Sequence, residues 1–304
     1  MKKLIQIPLF VALSGLLVCF LAHPDGTRAA VSRALELCAR TVIPSLFPFL
    51  AVSSLLIALG FGDWVSPLLA RWMTPLFRLP GCAGSAVLLG LVGGYPIGAR
   101  TAAELYRTRA LTREEAGRLL TFCNNSNPVF LISVLGSGVF GSVRTGVWLW
   151  LIHVASAVLT GLLLSRRRGV SRRTAPPAPP SPPPSFCSAL VRSVRESAAG
   201  MVNLSAFVVL FYVLASPLAT LGGRWGPLLT GLTELFSLTP LLTTDRFGFV
   251  LASGCTGWGG LSVLFQTAAV LEGSNLPLRP CLAGKAAQGL LSAALALALS
   301  GYVL

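Results

Sequence analysis

The chain is poor in charge, and poorest in negative charge. Charged residues fill 11% of its 304 positions, and only 10 are Asp or Glu. Soluble domains carry about 25% charged residues. A water-soluble globular domain is thereby excluded, and no polar stretch is long enough to build a second one. Histidine occurs twice. The seven cysteines (Cys19, Cys38, Cys82, Cys123, Cys187, Cys255, Cys281) show no CxxC or metal-type spacing. Nothing here supports a disulfide framework or a metal centre, and cysteine in an apolar run behaves as a small hydrophobe. No nucleophile–base constellation or phosphate loop stands out either. The chain reads as a non-enzyme without metal or cofactor.

What is abundant is apolar surface. Hydrophobic residues make up 54% of the chain, and mean hydropathy is +0.75. Net charge is +14, from 24 Lys+Arg. These cations cluster between apolar spans, as the positive-inside rule predicts. No aromatic–basic platform accompanies them, so nucleic acid is not the expected partner. The bilayer is.

Two apolar segments are broken by glycine. Residues 89–99 read LGLVGGYPIGA, and residues 250–262 read VLASGCTGWGGLS. Both are apolar enough for a membrane and too glycine-rich for an unbroken helix. Unwound backbone at membrane depth survives only where protein or a wet cavity receives its polar groups. Paired interruptions in two halves point to a carrier-type binding site.

Unbroken spans are expected at 4–22, 41–59, 129–143, 145–165, 201–221 and 282–304. The first reads as an uncleaved transmembrane helix, being longer than a usual signal-peptide core. Residues 23–26 read as a turn. Residues 29–40 read as an amphipathic helix with Val31, Ala34, Leu35 and Cys38 on one face. Residues 61–79, with Trp64, Trp72 and Phe77, suit an interfacial helix. Thr112-Arg-Glu-Glu115 is a capping box opening a helix to about 123. Arginines 166–168, 172 and 173 lead into a proline-rich linker, basic and semi-rigid. Residues 186–200 are amphipathic, and 226–242 are mixed, with Glu234 in an apolar run.

Charge places the N-terminus, the 100–118 arginines and the 166–186 linker in the cytoplasm. The segment at 83–99 must then enter and leave on one face. The segment at 247–271 dips in from the opposite face. The expected fold is all-α and polytopic, with two inverted-topology repeats, each carrying a re-entrant or broken-helix hairpin. Its parts are an N-terminal helix (1–28), a first repeat (29–165), the linker (166–186) and a second repeat (187–304).

The candidate substrate-binding residues are Gly94, Tyr95, Pro96 and Gly98 at the first break, and Thr256, Gly257, Trp258 and Gly259 at the second. Asn124, Asn125, Ser126 and Asn127 join them. Pro128 makes Asn127 an N-cap candidate, and a helix N-terminus facing a cavity would bind a polar acceptor. An ordinary capped turn at the membrane surface would read the same way. Trp258 suits either ring stacking or an interfacial anchor. Intramembrane polar groups are functional candidates, so Glu234, Asn203 and Gln288 are candidates for ion coupling. Glu234 would also suit the wet face of an interfacial helix. Lys285 would suit pairing with an anionic ligand or a place at the surface, Gln266 is a further polar group, and His153 reads as structural.

Residues 93–100 (GGYPIGAR), 111–130 (LTREEAGRLLTFCNNSNPVF) and 44–48 (PSLFP) resemble the YlbJ family of sporulation integral membrane proteins. That family belongs to the nucleoside-recognition, or Gate, group. The resemblance covers most of the chain. It implies a relative of concentrative nucleoside transporters, in the membrane of an endospore-forming cell. It also implies movement of dipicolinate, a small aromatic dianion, across the outer forespore membrane. The expected function is a multi-pass carrier of a small polar or anionic metabolite. The alternatives are a non-transporting sporulation assembly or signalling protein and a nucleoside transporter. A small molecule and the bilayer are the expected partners, with a homo-oligomer compatible.

Overall fold

The computed structural model describes residues 2–165 and 185–304. The basic linker expected at 166–186 lies almost wholly outside them. Among the described residues every regular element is helical, and five helices are long and apolar enough to cross a membrane. The all-α, polytopic reading holds.

Helix α1 spans Lys2–Ala22 and α2 spans Pro24–Leu37. The turn expected at 23–26 is instead the start of α2. Pro24 sits in the first turn, where a missing N–H is harmless. The buried face of α2 is Ala30 and Ala34, continued by Cys38, whereas Leu35 is exposed. A wide π-type turn, Cys38–Val42, carries the helix into α3, Ile43–Ala58. Residues 24–58 are thus one long rod, in place of a surface helix followed by a separate span.

Helix α4 covers Phe61–Trp72 and leaves Trp64 and Trp72 exposed. Helices α5 (Ala83–Gly93) and α6 (Ile97–Arg107) flank the first break and pack on each other as a hairpin. Helix α7, Arg113–Leu119, opens with the expected capping box. The Thr112 N–H donates to Glu115 Oε2 at 2.8 Å, and the Glu115 N–H donates to Thr112 Oγ1 at 3.2 Å. The helix stops at Leu119, short of 123. An irregular buried stretch, 120–127, leads to a wide helix, Val129–Val139, and then to α8, Val143–Ser165.

In the second half, residues 186–221 form one helix, α9, Phe186–Leu221. Short helices α10 (Gly226–Thr233) and α11 (Leu235–Leu238) follow. The second broken segment is α12 (Arg246–Trp258) and α13 (Gly260–Leu271), joined at Gly259 with φ +92°. Unlike α5 and α6, these two do not pack on each other: α12 packs mainly on α14 (Arg279–Val303) and α13 on α6 and α9, while both touch α10. The second segment is a broken helix rather than a hairpin folded on itself. Glycine sets the α12–α14 approach. A β-carbon on Gly257 would lie 2.8 Å from the Gln288 carbonyl oxygen, the small-residue packing that membrane helices use. Helix α3 lies along α9 and joins the halves.

Candidate functional site

The site grows from the irregular stretch. Residues 121–127 are all buried, so every polar group there needs a partner inside the protein. The α5–α6 hairpin closes around this stretch. A β-carbon on Gly90 or on Gly98 would overlap the Cys123 carbonyl, and one on Gly284 would overlap that of Thr121. Three glycines from three helices thus cradle one strip of backbone. At the break between α5 and α6, Gly94 takes φ +81° and faces Asn127, whose Cβ would lie 2.9 Å from an added methyl. This is a conformation and a space that only glycine satisfies. The Tyr95–Pro96 peptide is cis.

The asparagines are hydrogen-bonded almost throughout. Asn124 Nδ2 donates to Thr267 Oγ1 on α13 at 2.8 Å. Asn125 Nδ2 donates to the Phe122 carbonyl at 2.8 Å, while its Oδ1 accepts from Gln288 Nε2 at 2.9 Å. The Ser126 N–H donates to His153 Nε2 at 3.1 Å. Asn127 Oδ1 accepts the Phe130 N–H at 2.8 Å, which is the bond of a helix N-cap. The segment is therefore a capped turn enclosed by the protein rather than an exposed one.

Lys285 on α14 is the centre of this network. It is 1% exposed. Its Nζ donates to Gln288 Oε1 at 2.9 Å, Tyr95 Oη at 3.0 Å and the Asn124 carbonyl at 3.1 Å. The ammonium also lies 4.9 Å from the centre of the Tyr95 ring. Among the described residues no carboxylate pairs with it within 4.0 Å. A buried cation held by neutral acceptors alone is a costly arrangement. It places a lysine amine with no carboxylate partner among the described residues where the two halves meet. Gln288 Nε2 also lies 3.3 Å from His153 Nε2. Since the Ser126 N–H points at that nitrogen, it accepts, and the ring proton sits on Nδ1.

The two breaks touch. Tyr95 Oη donates to the Thr256 carbonyl at 2.9 Å. A β-carbon on Gly259 would lie 3.3 Å from the same hydroxyl and 3.4 Å from Lys285 Cε. Trp258 turns away, its indole N–H donating to the Leu232 carbonyl at 2.9 Å. Gly257 faces α14 and serves packing.

Beside this contact lies a cavity of about 40 Å³, room for roughly three waters. Its walls include Tyr95, Ser126, Asn127, Glu234 and Gln266. Glu234 is 2% exposed, not on a wet face, and among the described residues it has no cationic partner within 4.0 Å. Its Oε2 accepts from the Ser237 N–H at 2.5 Å and the Ser237 hydroxyl at 2.8 Å, capping α11. Among the described residues, Gln266 Oε1 is buried without a hydrogen-bond partner. Asn203 lies apart, in an open cleft with Pro96.

Most of the candidate residues therefore converge. Gly94, Tyr95, Gly98, Asn124, Asn125, Ser126, Asn127, Thr256, Gly259, Glu234 and Gln288 lie in or against one buried assembly. Pro96 and Asn203 line the outer cleft, while Gly257 and Trp258 face other helices. Sequence reasoning missed Thr267 and read His153 as structural; Lys285 and Gln266 were noted as polar groups without being assigned to the site. Lys285 and Gln288, three apart in an otherwise apolar helix, were the available signal.

Fold and site together define a multi-pass membrane protein with a buried polar centre built where broken helices meet. Residues 39–146 match the Gate family, described as nucleoside recognition. Across 315 aligned residues the chain is 26% identical to the sporulation integral membrane protein YlbJ of Bacillus subtilis (strain 168), covering 90% of this chain and 77% of that protein. The likeness to YlbJ read in residues 93–130 thus runs along most of the molecule. No solved structure matches the chain significantly.

Proposed function

We propose that the protein is a membrane carrier of a small polar or anionic metabolite used in spore formation. The observation that carries this reading is the meeting of two broken helices at Tyr95 and Thr256 beside a buried, carboxylate-free Lys285. Broken helices in two halves, converging on a polar centre, are the architecture of secondary carriers. Dipicolinate is the leading substrate, because its carboxylates would supply the acidic partner that Lys285 does not have among the described residues. The nucleoside reading draws support from the family description of residues 39–146.

In this reading the halves are inverted repeats, and the 100–118 arginines and the N-terminus face the cytoplasm, in keeping with the positive-inside rule. The membrane, in this reading, is the outer forespore membrane; the similarity to a sporulation integral membrane protein supports a membrane of the sporulating cell. Glu234, unpaired beside the cavity, couples transport to a cation. Gln288 links Lys285 to the asparagine segment, and Asn203 lines the approach.

Proteoliposome uptake tests the proposal. Purified protein should accumulate labelled dipicolinate, or uridine if the second reading holds. Uptake of neither by folded protein would leave a non-transporting assembly or signalling role.

A further inference from the structure

The open cleft beside Pro96 has a volume of about 350 Å³. Ser54, Arg100, Arg107, Glu196 and Asn203 supply its polar wall. It is separated from the inner cavity by Leu204, which is 6% exposed and borders both spaces.

Glu196 governs this wall. Its carboxylate pairs with the Arg100 guanidinium of α6. It also accepts from Arg192 Nε at 2.9 Å, one turn earlier on α9, and from Ser54 Oγ of α3 at 3.5 Å. One carboxylate thus ties α3, α6 and α9 together, and its hold on α6 lies four residues beyond Pro96. The side chains of Arg100 and Glu196 are 45% and 30% exposed. A pair this wet is weak and exchangeable. A guanidinium also accepts an incoming carboxylate in the same forked geometry.

We propose that the cleft is a capture site for a carboxylate-bearing anion, and that the Arg100–Glu196 pair is the latch between it and the inner cavity. The anion's carboxylate takes the place of Glu196 on Arg100. Glu196 falls back on Arg192, and α6 and α9 part at Leu204. The proposal rests on the carrier reading for its purpose, but its test needs no transport.

The reporter is Leu204→Cys in the full chain, in lipid nanodiscs, with the exposed Cys19 and Cys187 replaced by Ser. The rate of reaction with N-ethylmaleimide is measured. Glu196→Gln should raise that rate about five-fold, the shift a part-exposed ion pair can hold back. The exchanged pair Arg100→Glu with Glu196→Arg, combined with Arg192→Glu so that no like charges meet, restores both ion pairs, should return the rate to the parental value, and serves as the folding control. Acetate replacing chloride at constant ionic strength should speed labelling of the parent and leave Glu196→Gln unchanged. An unaltered rate in Glu196→Gln, a rate still raised in the exchanged pair, or indifference of the parent to acetate would each overturn the latch.

Discussion

The hydroxyl of Tyr95 donates to the carbonyl of Thr256 at 2.9 Å, across 161 positions of sequence, while accepting from Lys285 Nζ at 3.0 Å. One side chain in the first broken segment thereby fastens the second, and both to α14. A helix carbonyl near a break is available to such a donor because its own helical partner is displaced. The two interruptions form one structural unit.

Tyr95→Phe keeps the ring and removes both bonds. Stability should fall by about 1–3 kcal/mol, since buried partners are left unsatisfied. Thermal unfolding in detergent, followed by tryptophan fluorescence, measures this. Thr256→Val is the contrast. The Tyr95 bond uses the backbone, so the valine variant loses only the Oγ1 bond to the Ser253 carbonyl and should unfold close to the parent.

Gly98→Ala should be far more damaging than its size implies. The new methyl would overlap the Cys123 carbonyl, which is backbone and cannot rotate away. Overpacking of this kind costs about 1–3 kcal/mol or more. Gly200→Ala meets nothing within 4 Å and lies within a helix, so it should be neutral or stabilise by up to about 1 kcal/mol. Unfolding midpoints of the two variants, measured together, decide the point.

Asn127 should tolerate aspartate better than alanine. Its Oδ1 accepts the Phe130 N–H at 2.8 Å, and loss of such a cap costs about 1 kcal/mol. Asp retains the acceptor. Asn127→Ala should lower the unfolding midpoint clearly. Asn127→Asp should lower it less, because the retained cap and the cavity that Asn127 lines offset the cost of the buried charge. Unfolding midpoints of the two variants, compared with the parent, check the order.

Asp245 gives a pH signature outside the spans. Hydrogen bonds from the Thr243 hydroxyl at 2.5 Å and the Gly248 N–H at 2.9 Å hold its carboxyl below the usual range. A depressed folded-state value means the cap on α12 contributes above the unfolded value of about 3.9. That contribution is lost as pH falls through the lower folded value. The difference in unfolding midpoint between parent and Asp245→Ala should be constant above about pH 4 and shrink below it. Asp245→Asn should show no such dependence.

Local signals were legible in the sequence. The capping box at Thr112–Glu115, the glycine breaks and the Asn127 cap all depend on neighbours a few residues apart. The partners of the asparagine segment were not legible. His153, Thr267, Lys285 and Gln288 come from three helices, and an apolar helix bearing one or two polar groups does not disclose which face meets the protein. Glu234 was ambiguous for the same reason: a carboxylate in a mixed segment fits a wet face or a buried cap equally well. The boundary at 23–26 was missed because Pro-Asp-Gly suits a turn and a helix start alike. The difference between the first break, a folded hairpin, and the second, a bent helix, arises from which helix each arm packs on.

Uptake by Lys285→Met tests the central claim most directly. Methionine fills the volume of the lysine stem and removes the amine held between the two breaks. Dipicolinate uptake into proteoliposomes should fall at least about ten-fold relative to the parent, with the protein still folded by size exclusion, as expected when a charged hydrogen-bonding anchor worth about 1.5–3 kcal/mol is deleted. Parental uptake in this variant would contradict a substrate site at the junction of the broken helices.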